Sequence, residues 1–202
     1  MGTAFDPRLL GALLAGCVLL LLAEHLGART TLNLESRLKG DVKRESRWVA
    51  QYGQSVCTPV AALLVWLLDG VNGLRNGVIV LGSVLAASVL CMLLKRTLGR
   101  IRPGREGAGR FTGLSLRHAN YRESFPSSHS ACAVALTVTL VAFYPAAAPV
   151  LWALALGCAG LRYVLDAHFP SDVLAGVALG YAVGHGGAAL GVWLWGSASA
   201  TL

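Results

Sequence analysis

Residues 160–172, GLRYVLDAHFPSD, place an arginine, a histidine and two aspartates between two long apolar stretches. His168 is followed four residues later by Asp172. At this spacing a carboxylate can keep one ring nitrogen protonated and leave the other as a base or nucleophile. The pair is common by chance, and a metal site is the rival interpretation. Since zinc needs three or four ligands at recognisable spacing and few are present, we expect no metal here.

Two further polar clusters have residue types that bind phosphate. The first is KRTLGRIRP at residues 95–103, in which Lys95 offers a compact charge and Arg102 a planar fork. Proteins commonly bind phosphate oxygens through lysine and arginine side chains, and Arg162 provides a second guanidinium group. The second cluster is FPSSHSA at residues 125–131.

The FPSSHSA cluster opens an apolar stretch, so we expect it at a helix N-terminus. Ser127, Ser128 and the first backbone amides of that helix are neutral donors, and such a terminus attracts anions. His129 is a second imidazole that can protonate a leaving group. Together the three clusters predict a phosphoryl-transfer site with cationic clamps, a nucleophile with its orienting carboxylate, and a separate acid.

The elements that must position these groups are membrane spans. Hydrophobic residues make up 55% of the 202 residues and charged residues only 13%, whereas soluble domains average about 25% charged residues. Because a span needs about 20 apolar residues, we predict an all-α, polytopic membrane helix bundle of about six transmembrane helices. The predicted spans are Leu9–Leu26, Val56–Leu74, Gly77–Leu94, Ser130–Tyr144, Ala148–Leu165 and Val173–Trp195.

Six spans bring the three clusters to one face of the membrane. The long connection at residues 27–55 is predicted to contain one or two short amphipathic helices at the interface. The basic loop between the third and fourth spans, which includes Arg100, is either a solvated segment or an attractant for anionic lipid. Glu24 closes the first span and is expected to face the lipid headgroups. No repeat or boundary divides the chain, so we expect one domain over residues 1–202.

The net charge of +7 does not indicate nucleic acid, because the basic residues lie in loops between apolar spans. Membrane lipids and a phosphate-bearing substrate fit that distribution better. No feature of the sequence points to an obligatory protein partner.

The joint pattern resembles the type 2 phosphatidic acid phosphatase superfamily, which also includes vanadium haloperoxidases and glucose-6-phosphatase. The pattern consists of Lys95-x6-Arg102-Pro103, then Pro126-Ser127-Ser128-His129, then Arg162-x5-His168-x3-Asp172. Two departures are visible. Ser128 stands where the family usually has glycine, and Leu161 stands where it usually has serine. Neither departure removes a core catalytic group.

The resemblance implies a role for each residue. His168 attacks phosphorus and becomes a phosphohistidine, while Asp172 holds its other ring nitrogen and His129 protonates the departing oxygen. The equatorial phosphate oxygens are held by Lys95, Arg102, Ser127, the Ser128 amide and Arg162. Cations neutralise the developing charge, so the resemblance implies neither a metal nor a cofactor.

A site at the membrane face, entered between spans, suits a substrate with an apolar tail and a phosphate head. Phosphatidic acid, phosphatidylglycerol phosphate, polyprenyl diphosphate, lipid A phosphate and sphingoid phosphates all have this form. A lipid phosphate phosphatase is therefore expected. The alternatives are a phosphotransferase that uses an alcohol acceptor and an inactive relative that binds or transports lipid.

Two arguments give opposite answers for the side of the membrane on which the three clusters lie. Of the 17 lysines and arginines, 15 lie on the face of the three clusters and two, Arg8 and Arg75, on the other. By the positive-inside rule this count alone places the clusters in the cytoplasm. Bacterial members of the family instead resemble extracytoplasmic enzymes of the plasma (inner) membrane, and we expect that orientation.

Overall fold

The computed structural model describes residues 4–27, 31–32, 40–54 and 56–199. The long secondary-structure elements in these ranges are all helices. Within these ranges no strand forms, although Arg100 and Phe111 make an isolated antiparallel bridge. The helices are α1 (Pro7–His25), α2 (Gly40–Val49), α3 (Cys57–Leu68), α4 (Gly73–Leu98), α5 (Ser128–Phe143), α6 (Ala148–Val164) and α7 (Pro170–Ser199). Three single 3₁₀ turns precede α4, α5 and α6.

Helices α1 and α4 have well-defined ends. Pro7 occupies the first turn of α1, and the side chain of Asp6 caps the helix by accepting a hydrogen bond from the Arg8 amide at 2.8 Å. Helix α4 ends at Gly99, whose φ of 62° lies in the left-handed region that a C-terminal glycine adopts without strain. This turn directs the chain after α4 back towards the bundle.

The all-helical membrane fold is confirmed, and six apolar helices match the six predicted spans. Within the described part of the chain, four segments are long and apolar enough to cross a bilayer: Pro7–His25, Gly70–Leu98, Pro145–Val164 and Pro170–Trp195. The other two, α3 and α5, have only 12 and 16 residues. Both are shorter than the roughly 20 residues that a solitary span requires.

The short helix α5 is the centre of the bundle. Every residue from Ser130 to Val141 is buried, and most of them are apolar, as expected of a helix that is enclosed on all sides. Helices α4, α6 and α7 pack around it. The lipid-facing surface is supplied by leucines of the outer helices, for example Leu19 on α1 and Leu67 on α3.

Glycines on one face of α7 bring it against α5. A Cβ atom added to Gly176 would lie 2.4 Å from the Ser127 carbonyl oxygen, and one added to Gly180 would lie 2.2 Å from the Ala131 carbonyl oxygen. Close packing of the last span through small residues, as in other membrane helix pairs, is therefore present in the structure.

The connection between α1 and α3 contributes α2, which lies beside α6. Its Trp48 is exposed, as expected of a short interfacial helix. Residues 33–39, the other part of the predicted amphipathic stretch, lie outside the described residues. After α2 the chain enters the bundle, where Gly53 (φ 82°) packs on the backbone of Ala133 and the Tyr52 hydroxyl lies 3.0 Å from the Thr137 hydroxyl.

Gly180→Ala tests the contact between α5 and α7. The new methyl group collides with backbone that cannot move aside, and such overpacking costs about 1–3 kcal/mol. We expect a lower unfolding temperature for the detergent-solubilised protein, followed by loss of the monodisperse size-exclusion peak on heating. Gly186→Ala is the matched control because a Cβ at Gly186 meets open space. Equal stability of the two variants would contradict the packing described here.

Candidate active site

The first cluster lies where α4 ends. Lys95 is in the last turn of α4 and is buried, with its ammonium donating to the Glu123 carbonyl at 2.7 Å. Arg102 follows the turn at Gly99 and donates to the same carbonyl at 3.2 Å and to the Ala167 carbonyl at 2.9 Å. Both cations are therefore fixed by neutral backbone oxygens, which orient them without cancelling their charge.

The second cluster forms the N-terminus of α5. Ser127 precedes the helix and is buried. Its amide donates to the Asp172 carbonyl at 2.9 Å, and its hydroxyl accepts a hydrogen bond from the Ser130 hydroxyl at 2.9 Å. Ser128 and His129 occupy the first turn, where backbone amides have no partner within the helix and the helix dipole favours an anion.

The third cluster joins α6 to α7. Arg162 is in the last turn of α6, and its carbonyl accepts from the amides of Ala167 at 3.1 Å and His168 at 3.2 Å, which folds the connection into a tight turn. The Nε atom of Arg162 is buried and, among the described residues, has no hydrogen-bond partner. A buried charged donor without a partner is costly. This orphaned donor therefore indicates a missing acceptor.

His168 and Asp172 are both buried, and the His168 Nδ1 atom faces the carboxylate. Nδ1 and Asp172 Oδ2 are 3.6 Å apart, slightly beyond hydrogen-bond length. The Ser124 hydroxyl lies beside both groups, 2.5 Å from Oδ2 and 3.5 Å from Nδ1. The carboxylate also accepts from the Phe169 amide at 2.9 Å. Nδ1 is thus turned towards the protein, which leaves Nε2 for a ligand.

The electrostatics keep His168 neutral. Burial, and then the charges of Lys95 and Arg102, lower the pKa of the ring to about 3, although Asp172 acts in the opposite direction. At neutral pH the imidazole is therefore unprotonated, which is the form that a nucleophile requires.

All eight predicted site residues lie at one end of the bundle, where α4 and α6 end and α5 and α7 begin. Arg162, His168, Lys95 and Arg102 are within electrostatic range of His129. Among the described residues, no three His, Cys, Asp or Glu side chains come together as a metal site would require. The arrangement brings cations, helix-terminal amides and two imidazoles to the same end of the bundle.

The expectations for Arg100 and Glu24 were wrong. Arg100 is neither solvated nor a lipid contact, since it is 2% exposed and donates to Asp172 Oδ1 at 2.6 Å. Glu24 does not face the headgroups. Its carboxylate is buried and accepts from Arg100 at 2.7 Å. Ser124 was also missed. Nothing in the local sequence distinguishes Arg100, Glu24 and Ser124 from their neighbours. Their partners are distant in sequence and are identified only by the fold.

Fold and site together define an integral membrane protein in which three cations and two histidines lie at one end of the helix bundle. Residues 76–195, more than half of the chain, match the family model described as the PAP2 superfamily. The chain belongs to this superfamily.

Individual relatives agree with this assignment. A lipid A 1-phosphatase of Rhizobium etli is 38% identical over 101 residues, and one of Rhizobium johnstonii is 34% identical over 99 residues. Each match covers 48% of this chain and less than half of the relative (43% and 41%). The fold is similar to that of a PAP2-type phosphatidylglycerolphosphate phosphatase from Bacillus subtilis. That match has a TM-score of 0.56 and 19% identity, and it covers 90% of this chain and 94% of the other.

Arg162→Gln tests the anion site directly. A hydrogen bond to a charged group contributes about 1.5–3 kcal/mol, so we expect roughly 10–100-fold weaker binding of inorganic phosphate. Isothermal titration in detergent at fixed ionic strength measures this. Arg105→Gln removes the same charge from an exposed loop position and serves as the control. Equal losses in both variants would indicate general attraction of anions rather than a site.

Proposed function

We propose that this protein hydrolyses a lipid phosphate, either a monoester or a diphosphate. The observation that carries the proposal is the buried, unpartnered Nε of Arg162, a side chain that lies within electrostatic range of His129 and the amides at the N-terminus of α5. The neutral His168 at the same end of the bundle supplies the nucleophile. A tetrahedral oxyanion satisfies these donors together. The membership of the superfamily and the lipid A phosphatases among the relatives support an activity on lipid phosphates.

In the proposed reaction, Nε2 of His168 attacks phosphorus while the bond between phosphorus and the leaving oxygen breaks. His129 gives its proton to that oxygen. Water then attacks the phosphohistidine, the phosphorus–nitrogen bond breaks, and His129 takes a proton from the water. Lys95, Arg102 and Arg162 hold the equatorial oxygens, and Ser127 and the Ser128 amide donate at the helix terminus. No metal enters either step.

Two features argue for a lipid rather than a soluble phosphate. The site lies at one end of the apolar bundle, where α4 and α6 end and α5 and α7 begin, and the outer helices expose leucines. A substrate whose phosphate group binds at this end of the bundle can keep its apolar tail in the surrounding hydrocarbon. Phosphatidic acid, phosphatidylglycerol phosphate, lipid A 1-phosphate and polyprenyl diphosphate are the substrates to compare.

His168→Ala is expected to abolish phosphate release, because it removes the proposed nucleophile. Asp172→Asn should reduce the turnover number less severely, since the amide keeps part of the hydrogen bonding. The assay measures phosphate release in detergent with EDTA present throughout, across the panel of lipids. His25→Gln, which alters an exposed imidazole at the end of α1, is the control.

Wild-type turnover in the His168→Ala protein would overturn the mechanism. Activity that disappears with EDTA and returns with a divalent cation would overturn metal independence. Addition of an acceptor alcohol separates hydrolysis from the alternative phosphotransfer, because a transferase forms a new phosphate ester at the expense of free phosphate.

We also propose that the site faces the extracytoplasmic side of the plasma (inner) membrane, as the superfamily resemblance implies. Part of the opposing charge count comes from residues that contact the protein rather than lipid, because Lys95 and Arg100 are buried and Arg102 donates to backbone carbonyls. Reporter fusions to the N-terminus test the orientation. With six crossings, the N-terminus and the site lie on opposite sides of the membrane. An N-terminus outside the cytoplasm would therefore contradict the proposed orientation.

A further inference from the structure

A buried chain of charges connects α1 to the site. Arg100 donates through one guanidinium nitrogen to Asp172 Oδ1 at 2.6 Å and to the Ser171 hydroxyl at 2.7 Å. Its second nitrogen donates to Glu24 Oε2 at 2.7 Å. The side chains of Glu24, Arg100 and Asp172 are 5%, 2% and 0% exposed, so these ion pairs are almost unscreened by water.

Two aromatic rings and a backbone carbonyl contact the Arg100 guanidinium. The ring of Phe169 lies 4.3 Å from the guanidinium carbon and that of Phe111 lies 5.3 Å away. The Nε atom donates to the Gly109 carbonyl at 3.3 Å. The planar guanidinium has donors in fixed directions and can pair with two carboxylates at once. A lysine ammonium cannot replace this geometry.

These contacts determine how Asp172 is turned. One oxygen of its carboxylate is held by Arg100, and the other accepts from the Ser124 hydroxyl and the Phe169 amide. The second oxygen is the one that faces His168 Nδ1. Since both oxygens are occupied, the carboxylate cannot rotate without breaking a buried, charge-assisted bond.

Glu24 fixes the other end of Arg100 and the start of α7. Its carboxylate accepts from the Ser171 hydroxyl at 2.5 Å and from the Ser171 amide at 3.2 Å, which caps the helix that carries Asp172. Glu24 lies outside residues 76–195, the region matched by the family model. Helix α1 therefore adds a contact to the site from beyond that region.

We propose that Arg100, anchored by Glu24, is a positioning residue that sets the orientation of Asp172 and, through it, of the His168 ring. This inference rests on the proposed function. Arg100 acts on the nucleophile and not on the phosphate, whose cations are Lys95, Arg102 and Arg162. Loss of Arg100 therefore lowers the turnover number and leaves phosphate binding intact.

The experiment compares wild type, Arg100→Ala, Arg100→Lys and Glu24→Gln in the lipid phosphate assay, with inorganic phosphate as a competitive inhibitor. For Arg100→Ala we expect the turnover number to fall about 10–100-fold, the effect of losing a charged hydrogen bond. KM and the phosphate inhibition constant should remain unchanged. Arg100→Lys should lie between Arg100→Ala and wild type, and Glu24→Gln, which keeps an acceptor oxygen for Arg100, should lose least.

Chemical rescue gives a second readout. A cavity of about 670 Å³ adjoins Glu24, Arg100, Phe111 and Phe169, so a small cation can reach the space that Arg100→Ala creates. Methylguanidinium should restore turnover in Arg100→Ala and have no effect on His168→Ala. A residue that only fastened α1 to α7 would lower thermal stability and the folded fraction without changing the turnover number of the folded protein.

Folded Arg100→Ala with wild-type turnover would overturn the proposal, as would equal losses in turnover and phosphate binding. If Arg100→Ala does not fold, Arg100→Lys decides, and wild-type turnover in that variant is the contradicting result. A wild-type protein that releases no phosphate from any lipid in the panel counts against the proposed function instead.

Discussion

The close approach of α5 and α7 is the constraint on which the site depends. His129 begins one helix and His168 precedes the other, so the separation of the two imidazoles follows from the separation of the two helix ends. Small residues along α7 permit that approach, and the Ser127 amide fastens it by donating to the Asp172 carbonyl at 2.9 Å. A larger side chain at Gly176 or Gly180 would push apart two parts of the chain that must share one ligand.

The second constraint is electrostatic. A low-dielectric site that accepts a phosphate must keep several cations buried without losing their charge to nearby acids. Lys95 and Arg102 meet this requirement by donating to backbone carbonyls, while the buried carboxylates of Asp172 and Glu24 are both paired with Arg100. Lys95 and Arg102 therefore make no direct ion pair with either carboxylate, and the hydrogen bonds of Asp172 to Arg100 hold its negative charge beside His168.

The division between what the sequence predicts and what it does not has a physical basis. Apolar length predicts the spans because burial in lipid leaves a strong local signal, and the spacing within the three clusters predicts which polar groups share a face. Arg100 is different, because it is one of six basic residues between α4 and α5 and its partners are 72 and 76 positions away. Ser124 and Glu24 are likewise defined by contacts distant in sequence. The length of α3 also escaped prediction, because the helix ends at Leu68 instead of the predicted Leu74.

The enclosure of α5 has a consequence for biogenesis. A 16-residue helix with buried hydroxyls at Ser130, Thr137 and Thr139 partitions weakly into lipid by itself. Its stable insertion therefore requires neighbouring helices to cover it, and α7 leaves the ribosome later than α5. The N-terminal end of α5 takes its final form only after translation of α7, because α7 supplies both the Asp172 side chain and the Asp172 carbonyl to which the Ser127 amide donates.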